Sequence, residues 1–232
     1  MAEVRGIANG AVDAQGQSGA SAMGGPNLGR RAADIFIGFC VALILLPAFA
    51  LIAVLVLAAD GRPVLFVQER VGRYGELFKV IKFRTMRCVP CGTSITLAGD
   101  PRITTLGRFL RATHLDELPQ FLNVIRGQMS LIGPRPEVPE FVDIREERWR
   151  EVLKVTPGLF DRATVYVTQE AEVLAASTDW QDCYRKVILP VKLECSLLGI
   201  RERSLLNDLR LLVKLVTHVM RTVFGISRRK RQ

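Results

Sequence analysis

Residues 35–59 read IFIGFCVALILLPAFALIAVLVLAA, 25 residues without a charge, and nothing else in the chain constrains its fold as strongly. About 20 helical residues span a ~30 Å hydrocarbon core, so a run of this length is a bilayer element rather than the buried helix of a soluble core. Pro47 sits in its middle. Proline removes one backbone hydrogen bond and its ring collides with the preceding turn, so the helix is expected to break there. Arg30 and Arg31 precede the run, and Arg62, Arg70, Arg73, Lys79, Lys82, Arg84 and Arg87 follow it. Basic residues favour the cytoplasmic side. A simple span would export one of these two groups, whereas a re-entrant helix kinked at Pro47 keeps both inside.

The rest of the chain divides around this element. Residues 1–29, rich in Gly and Ala with no hydrophobic period, read as a disordered tail that is too polar for a signal peptide. Residues 30–60 form the membrane element, 61–202 a cytosolic domain, and 203–232 a basic amphipathic helix with its tail. In that last segment Leu205, Leu209, Leu212, Val213, Val216, Met220 and Val223 recur at helical spacing, away from Arg210, Lys214, Thr217 and Arg221. Such a helix suits an anionic membrane surface; packing on its own domain is the alternative.

Within the cytosolic part, PVLFVQERVG and GELFKVIKFRTM are β-rich runs joined by Gly72-Arg73-Tyr74-Gly75, the pattern of a hairpin. Residues 88–101 read as a loop. Leu106, Phe109, Leu110, Leu118, Phe121, Leu122 and Ile125 follow helical spacing, with Pro119 starting or dividing helices. Residues 137–154 and 170–189 read as helical.

The formal net charge of +9 on 232 residues points to an anionic partner: nucleic acid, an acidic membrane surface or a phosphorylated small molecule. Five scattered cysteines indicate a reducing compartment. Cys88 and Cys91 have CxxC spacing, but a tetrahedral zinc site needs two further ligands at matching spacing, so the pair reads as ordinary thiols in a loop.

Against this basic background stand two adjacent carboxylates, Asp116 and Glu117, in HLDELPQFLNVIRGQMSLIGPRP. Lys82, Arg84, Arg87, Arg108 and Arg111 precede them, and Arg126 and Arg135 follow. Arginine forks match phosphate oxygens bidentately. Carboxylates among them can hold Mg²⁺, which bridges to substrate phosphates, and a carboxylate can itself attack phosphorus. Phosphoryl transfer needs these parts together.

The KFRTM, LDELPQ and GPRP blocks, in this order behind the apolar run, resemble the bacterial sugar transferase family. These are the monotopic phosphoglycosyl transferases that begin polyprenol-linked glycan assembly, and the likeness covers residues 30–224. The compact length resembles the minimal catalytic form. The resemblance implies transfer of a sugar 1-phosphate from a UDP-sugar to polyprenol (undecaprenyl) phosphate, releasing UMP, at the cytoplasmic face of the bacterial inner membrane. It implies Asp116 as the nucleophile that carries a phosphosugar, with Glu117 beside it in the Mg²⁺ and phosphate site. Lys82, Arg84, Arg111 and Arg135 match the family's positive positions for the diphosphate or uridine end. The fold it implies is a small membrane-associated α/β domain, mainly α, with a re-entrant helix broken at Pro47, a short β-hairpin and amphipathic interfacial helices. Membrane lipid is an expected partner and nucleic acid is not; a homo-oligomer stays open.

Two departures limit what the resemblance assigns. Leu46 stands where many relatives have Ser before the proline, and PGLFDRATVYVTQEAEVLA replaces a Gly-Ile-Thr-Gly-Trp type stretch. The reaction is therefore expected and the sugar is not. His114, two residues before the pair, reads as a bystander. Two alternatives remain at this stage: a non-enzymatic membrane-tethered adaptor whose basic face binds anionic lipid or nucleic acid, and an enzyme in which the lipid phosphate attacks directly with Asp116 only a metal ligand.

Overall fold

The computed structural model describes residues 28–87, 95–161, 170–203 and Asp208. The N-terminal tail up to residue 27, the Cys88 and Cys91 pair, and the basic segment from 204 onward, Asp208 excepted, lie outside the described residues.

The apolar run forms two helices, α1 (Leu28–Ile44) and α2 (Leu46–Asp60), bent by 59°. Neither alone is long and apolar enough to cross a membrane, but the pair meets that test by length and composition. The break falls at Leu45, two residues before the expected position, and Pro47 occupies the first turn of α2. The shift has a steric cause. The proline ring collides with the turn behind it, while in a first turn its missing N–H would be unpaired anyway. The inner side of the pair packs on the domain: Val41 and Ala42 pack against the core cluster that includes Phe121, Val124 and Leu131, and Ile52 and Val56 are buried with Phe83 and Leu110. The outer side leaves Phe36, Phe39, Leu43, Ile44, Leu46, Leu51 and Val54 exposed. A contiguous apolar patch of this kind marks a membrane or protein contact.

The hairpin forms as expected, β1 (Leu65–Val71) antiparallel to β2 (Leu77–Phe83) with Glu69 opposite Lys79. Its turn uses left-handed backbone at Tyr74 and Gly75. The periodic stretch that follows becomes α3 (Thr105–Ala112), a 3₁₀ helix (Leu115–Gln120) that contains Pro119, and α4 (Phe121–Arg126). Thr104 caps α3 by accepting from the Gly107 N–H at 2.9 Å.

One helical expectation needs correction, and a second holds with a break. In 137–154 only α5 (Glu147–Val152) is an α-helix, preceded by a 3₁₀ turn at Pro139–Phe141. Val138 is extended (φ −70°, ψ 145°), as a residue before proline prefers. The 170–189 stretch is divided into α6 (Glu170–Ala175), α7 (Trp180–Cys183) capped by Asp179, a π-helical turn (Tyr184–Ile188) and then α8 (Leu189–Arg201). A parallel pair, β3 (Ser130–Ile132) with β4 (Gly158–Phe160), was not expected, because three-residue strands show no readable alternation. The two strands approach so closely that a Cβ on Gly158 would sit 2.1 Å from the Gly133 nitrogen.

Candidate active site

The site gathers on three elements held in register by one amide. Lys82 lies near the end of β2, Asp116 and Glu117 in the 3₁₀ helix, and Arg135 in the loop after β3. Asn123 of α4 is fully buried, donates to the Lys79 carbonyl at 2.7 Å and accepts from the Ile81 N–H at 3.3 Å. It also donates to Gln128 Oε1 at 2.8 Å. This grip on alternate residues of β2 aims Lys82 at the 3₁₀ helix. Glu117 Oε1 accepts from Lys82 Nζ at 3.1 Å and from Arg135 Nη2, while Arg135 Nη1 reaches Oε2 at 3.5 Å. The Arg135 backbone N–H is tied to Asp161 Oδ2 at 3.1 Å.

The two neighbouring carboxylates are pushed in opposite directions. Burial by itself raises Glu117, but Arg135 and Lys82 outweigh it and hold the carboxylate well below its usual range. Asp116 is only 7% exposed, and among the described residues it accepts no hydrogen bond. Burial, reinforced by the charge of Glu117, raises its pKa, against smaller opposing pulls from Lys82, Arg111 and Arg135. Divergent environments of this kind separate the roles of paired carboxylates. Glu117 is held by two cations, whereas Asp116 accepts a hydrogen bond from no described side chain. Lys82 and Arg135 keep 22% and 33% of their side chains exposed, so both retain capacity toward an incoming anion.

Arg111, in the last turn of α3, donates through Nε to Thr85 Oγ1 at 2.8 Å, and its Nη2 lies 3.1 Å from Met86 Sδ. Burial lowers its pKa and the charge of Asp116 opposes that shift. The KFRTM segment can hold Arg111 because α3 crosses it at a glycine: a Cβ on Gly107 would lie 2.0 Å from the Thr85 carbonyl oxygen. Lys82 and Arg135 thus contact Glu117, and Arg111 lies close enough for its charge to act on Asp116.

Arg84 does not join them. It is 6% exposed and donates to the carbonyls of Arg62 at 2.8 Å, Asp60 at 2.5 Å and Gly61 at 2.7 Å. Its guanidinium closes the negative end of α2, a task its sequence position did not reveal. Next to it, Thr104 Oγ1 donates to Asp60 Oδ2 at 2.9 Å, so the end of the apolar helix is joined to the cap of α3. The His114 side chain is exposed, and its backbone makes the left-handed turn into the 3₁₀ helix (φ 55°). Gln120, one 3₁₀ turn beyond Glu117, is 2% exposed with no partner for its Nε2 among the described residues.

No group of three or more His, Cys, Asp or Glu side chains with metal-binding geometry occurs among the described residues. That does not disfavour Mg²⁺, which is bound by one or two carboxylates together with substrate phosphates. The open oxygens of Asp116 fit such a role. Glu117, engaged by two cations, has less capacity to spare. Asn123, Thr85 and Asp60 carry the site without any signal in the sequence, since each acts by a contact between distant segments.

Comparison with known proteins bears on this geometry. The sequence model of a family described as bacterial sugar transferase matches residues 26–222. A UDP-glucose:undecaprenyl-phosphate glucose-1-phosphate transferase of Escherichia coli (strain K12) is 40% identical over 139 residues, covering 56% of this chain and 29% of that protein. An exopolysaccharide production protein of Sinorhizobium fredii is 36% identical, covering 57% of this chain and 66% of its own length. A putative undecaprenyl-phosphate N-acetylgalactosaminyl 1-phosphate transferase of Bacillus subtilis is 40% identical, covering 49% and 65% respectively. The aligned parts therefore span less than two thirds of these relatives.

Proposed function

The chain belongs to the bacterial sugar transferase family, and from that membership we propose that it moves a sugar 1-phosphate from a UDP-sugar to polyprenol phosphate at the cytoplasmic face of a bacterial inner membrane. The observation that carries this reading is the pairing of an open, buried Asp116 with a Glu117 already neutralised by Lys82 and Arg135. The names of the relatives, which are sugar-1-phosphate transferases and an exopolysaccharide production protein, support the substrate class.

In this mechanism an Asp116 carboxylate oxygen attacks the β-phosphorus of the donor. The bond from that phosphorus to the bridging oxygen breaks, UMP departs, and the sugar phosphate remains on Asp116 as an acyl phosphate. A phosphate oxygen of the polyprenol phosphate then attacks the same phosphorus, freeing Asp116 and forming the polyprenyl diphosphate sugar. Arg135 and Lys82, fixed by Glu117 but open on one side, offset the diphosphate charge, and Arg111 acts on the Asp116 side. Mg²⁺, held by Asp116 with Glu117 adjacent, would offset charge developing on the phosphoryl oxygens. The bent α1–α2 pair, read as re-entrant, seats the domain on the bilayer so that the lipid phosphate arrives from the membrane plane. Arg84 and the bond between Asp60 and Thr104 join that pair to α3.

The test is UMP release from a panel of UDP-sugars with Mg²⁺ and polyprenyl phosphate, comparing the native chain with Asp116→Asn. Release from one donor, abolished by the substitution and by chelation, supports the reaction and names the sugar. Radiolabelled sugar phosphate retained on the protein with donor alone supports the covalent step; its absence favours direct attack by the lipid phosphate. Neither release nor UDP binding would return the adaptor reading to first place.

A further inference from the structure

Behind the loop that carries Arg135 lies a second buried network of charges that the reaction does not use. Glu137, two residues after Arg135, is 8% exposed and engaged on both oxygens. Its Oε1 accepts from the Val138 N–H at 3.0 Å and from Arg70 Nη1 at 3.4 Å, and its Oε2 accepts from the Tyr184 hydroxyl at 2.5 Å. Arg70 Nη1 also donates to the Pro136 carbonyl at 3.2 Å. Lys192 donates to the Tyr184 hydroxyl at 3.0 Å and to Glu170 Oε1 at 3.1 Å. Glu137, directly after the Pro134–Pro136 loop, is therefore held from β1, from the π-helical turn and from α8, and Arg70 also holds the loop itself at Pro136.

Tyr184 is the centre of this network. It is 1% exposed, its ring packs 4.6 Å from Phe141, and its hydroxyl donates to Glu137 while accepting from Lys192. It opens the π-helical turn. Turns of that kind are rare and are frequently found at functional sites. The charge states are constant: burial and Glu137 raise the phenol, so it remains a donor, and burial of Glu137 is outweighed by Lys192 and Arg70, which keep it ionised.

We propose that Tyr184 is a positioning residue: by holding Glu137 it fixes the Pro134–Pro136 loop, and so keeps the Arg135 fork on Glu117 in the geometry that receives an anionic diphosphate. The route is short, Tyr184 to Glu137, then two residues of backbone to Arg135, and proline on each side of Arg135 leaves that backbone few alternatives. The receipt of a diphosphate rests on the function proposed above; the restraint on the loop does not.

The experiment uses the full chain in detergent or nanodiscs with two readouts. In the first, Tyr184→Phe lowers kcat/KM for the UDP-sugar by about tenfold, as loss of support behind a binding group does, but lowers it less than about twofold further in an Arg135→Lys background. Both backgrounds lose the same thermal stability. Losses that multiply, or wild-type kcat/KM in Tyr184→Phe, overturn the proposal. In the second, Tyr184→Phe raises hydrogen exchange at the Arg135, Glu137 and Val138 amides by about tenfold or more, while β1 and β2 remain protected. Unchanged exchange at those amides overturns the proposal whatever the activity. If the native chain releases no UMP yet exchange rises as expected, the positioning role stands and the proposed reaction falls. Glu137→Gln, which preserves shape, is the second variant should Tyr184→Phe fail to fold, and the same pattern is required of it.

Discussion

Replacing Asp116 by Asn should make the protein more stable while removing its activity. Asp116 is 7% exposed and accepts no hydrogen bond from the described residues, and it lies beside the carboxylate of Glu117. The Asp116 oxygens are not among the fully buried unpartnered side-chain atoms, so water still reaches the carboxylate and the penalty on its charge falls at or below the about 1–3 kcal/mol of a fully buried group without a partner. The asparagine amide is also unpartnered but bears no charge, so the expected gain is about 1 kcal/mol, at the low end of that range. For a chain of this size that is a rise of roughly 2–4 °C in Tm. The pH dependence gives the cause. Burial raises the Asp116 pKa above its unfolded value, so protonation favours the native state. Its contribution to stability is complete below the ordinary carboxylate range and is lost as pH rises through the raised native value. The Asn variant has nothing to lose in that window. The difference in Tm should therefore be small at pH 4 and widen toward pH 8, measured by thermal melting in one detergent at constant ionic strength. UMP release should fall by about a thousandfold or more, as for removal of a nucleophile. A variant that melts below the native protein at pH 8, or a difference that does not change with pH, would refute the account of Asp116 as an unsupported buried charge.

Glu117→Gln should do the opposite. It leaves Lys82 and Arg135 without their shared carboxylate and should destabilise by about 3 kcal/mol, the lower end for a broken buried pair because both cations retain some solvent. Since Glu117 is held below the usual range, this deficit in thermal melting should be full above the ordinary carboxylate pKa, shrink progressively as pH falls below it, and close only at stronger acidity. Arg84→Lys should lower stability by about 2 kcal/mol through the loss of charge-assisted bonds to the Asp60, Gly61 and Arg62 carbonyls, read from the urea midpoint. The donor KM should move far less in that variant than in Lys82→Met, and equal effects would put Arg84 back among the substrate ligands. Gly107→Ala drives a Cβ into the Thr85 carbonyl, so a destabilisation of about 3 kcal/mol by the same midpoint is expected. An unaltered midpoint would show that α3 can move away from KFRTM freely.

The parts of this protein that were legible in its sequence are those governed by local composition. An uncharged run of 25 residues declares an apolar helical element, a proline within it a bend, and β-rich runs around Gly72 and Gly75 a hairpin. The acidic pair amid arginines suggests phosphate chemistry, an expectation that charge type and spacing suffice to raise. Lys82, Arg84, Arg111 and Arg135 were singled out among the many basic residues only by the resemblance to the family's blocks. What could not be read were effects that depend on which distant segments meet. Arg84 resembles its neighbours in the chain, yet it is turned to the end of α2 rather than to the acidic pair. The breaks in 137–154 and 170–189 come from Val138 before its proline and from the Asp179 cap, where local geometry overrode an apparently helical pattern.

The sequence alone thus determined the chemistry available and the apolar element beside it. Only the tertiary structure decided the different surroundings of Asp116 and Glu117. Adjacent in the chain and identical in charge, they differ because Glu117 meets Lys82 and Arg135 while Asp116 is buried without a hydrogen-bond partner among the described residues. The reason is electrostatic. A carboxylate's readiness to act depends on how its charge is solvated, and that is set by groups 35 residues before Glu117 and 18 after it, brought within hydrogen-bond reach by the fold.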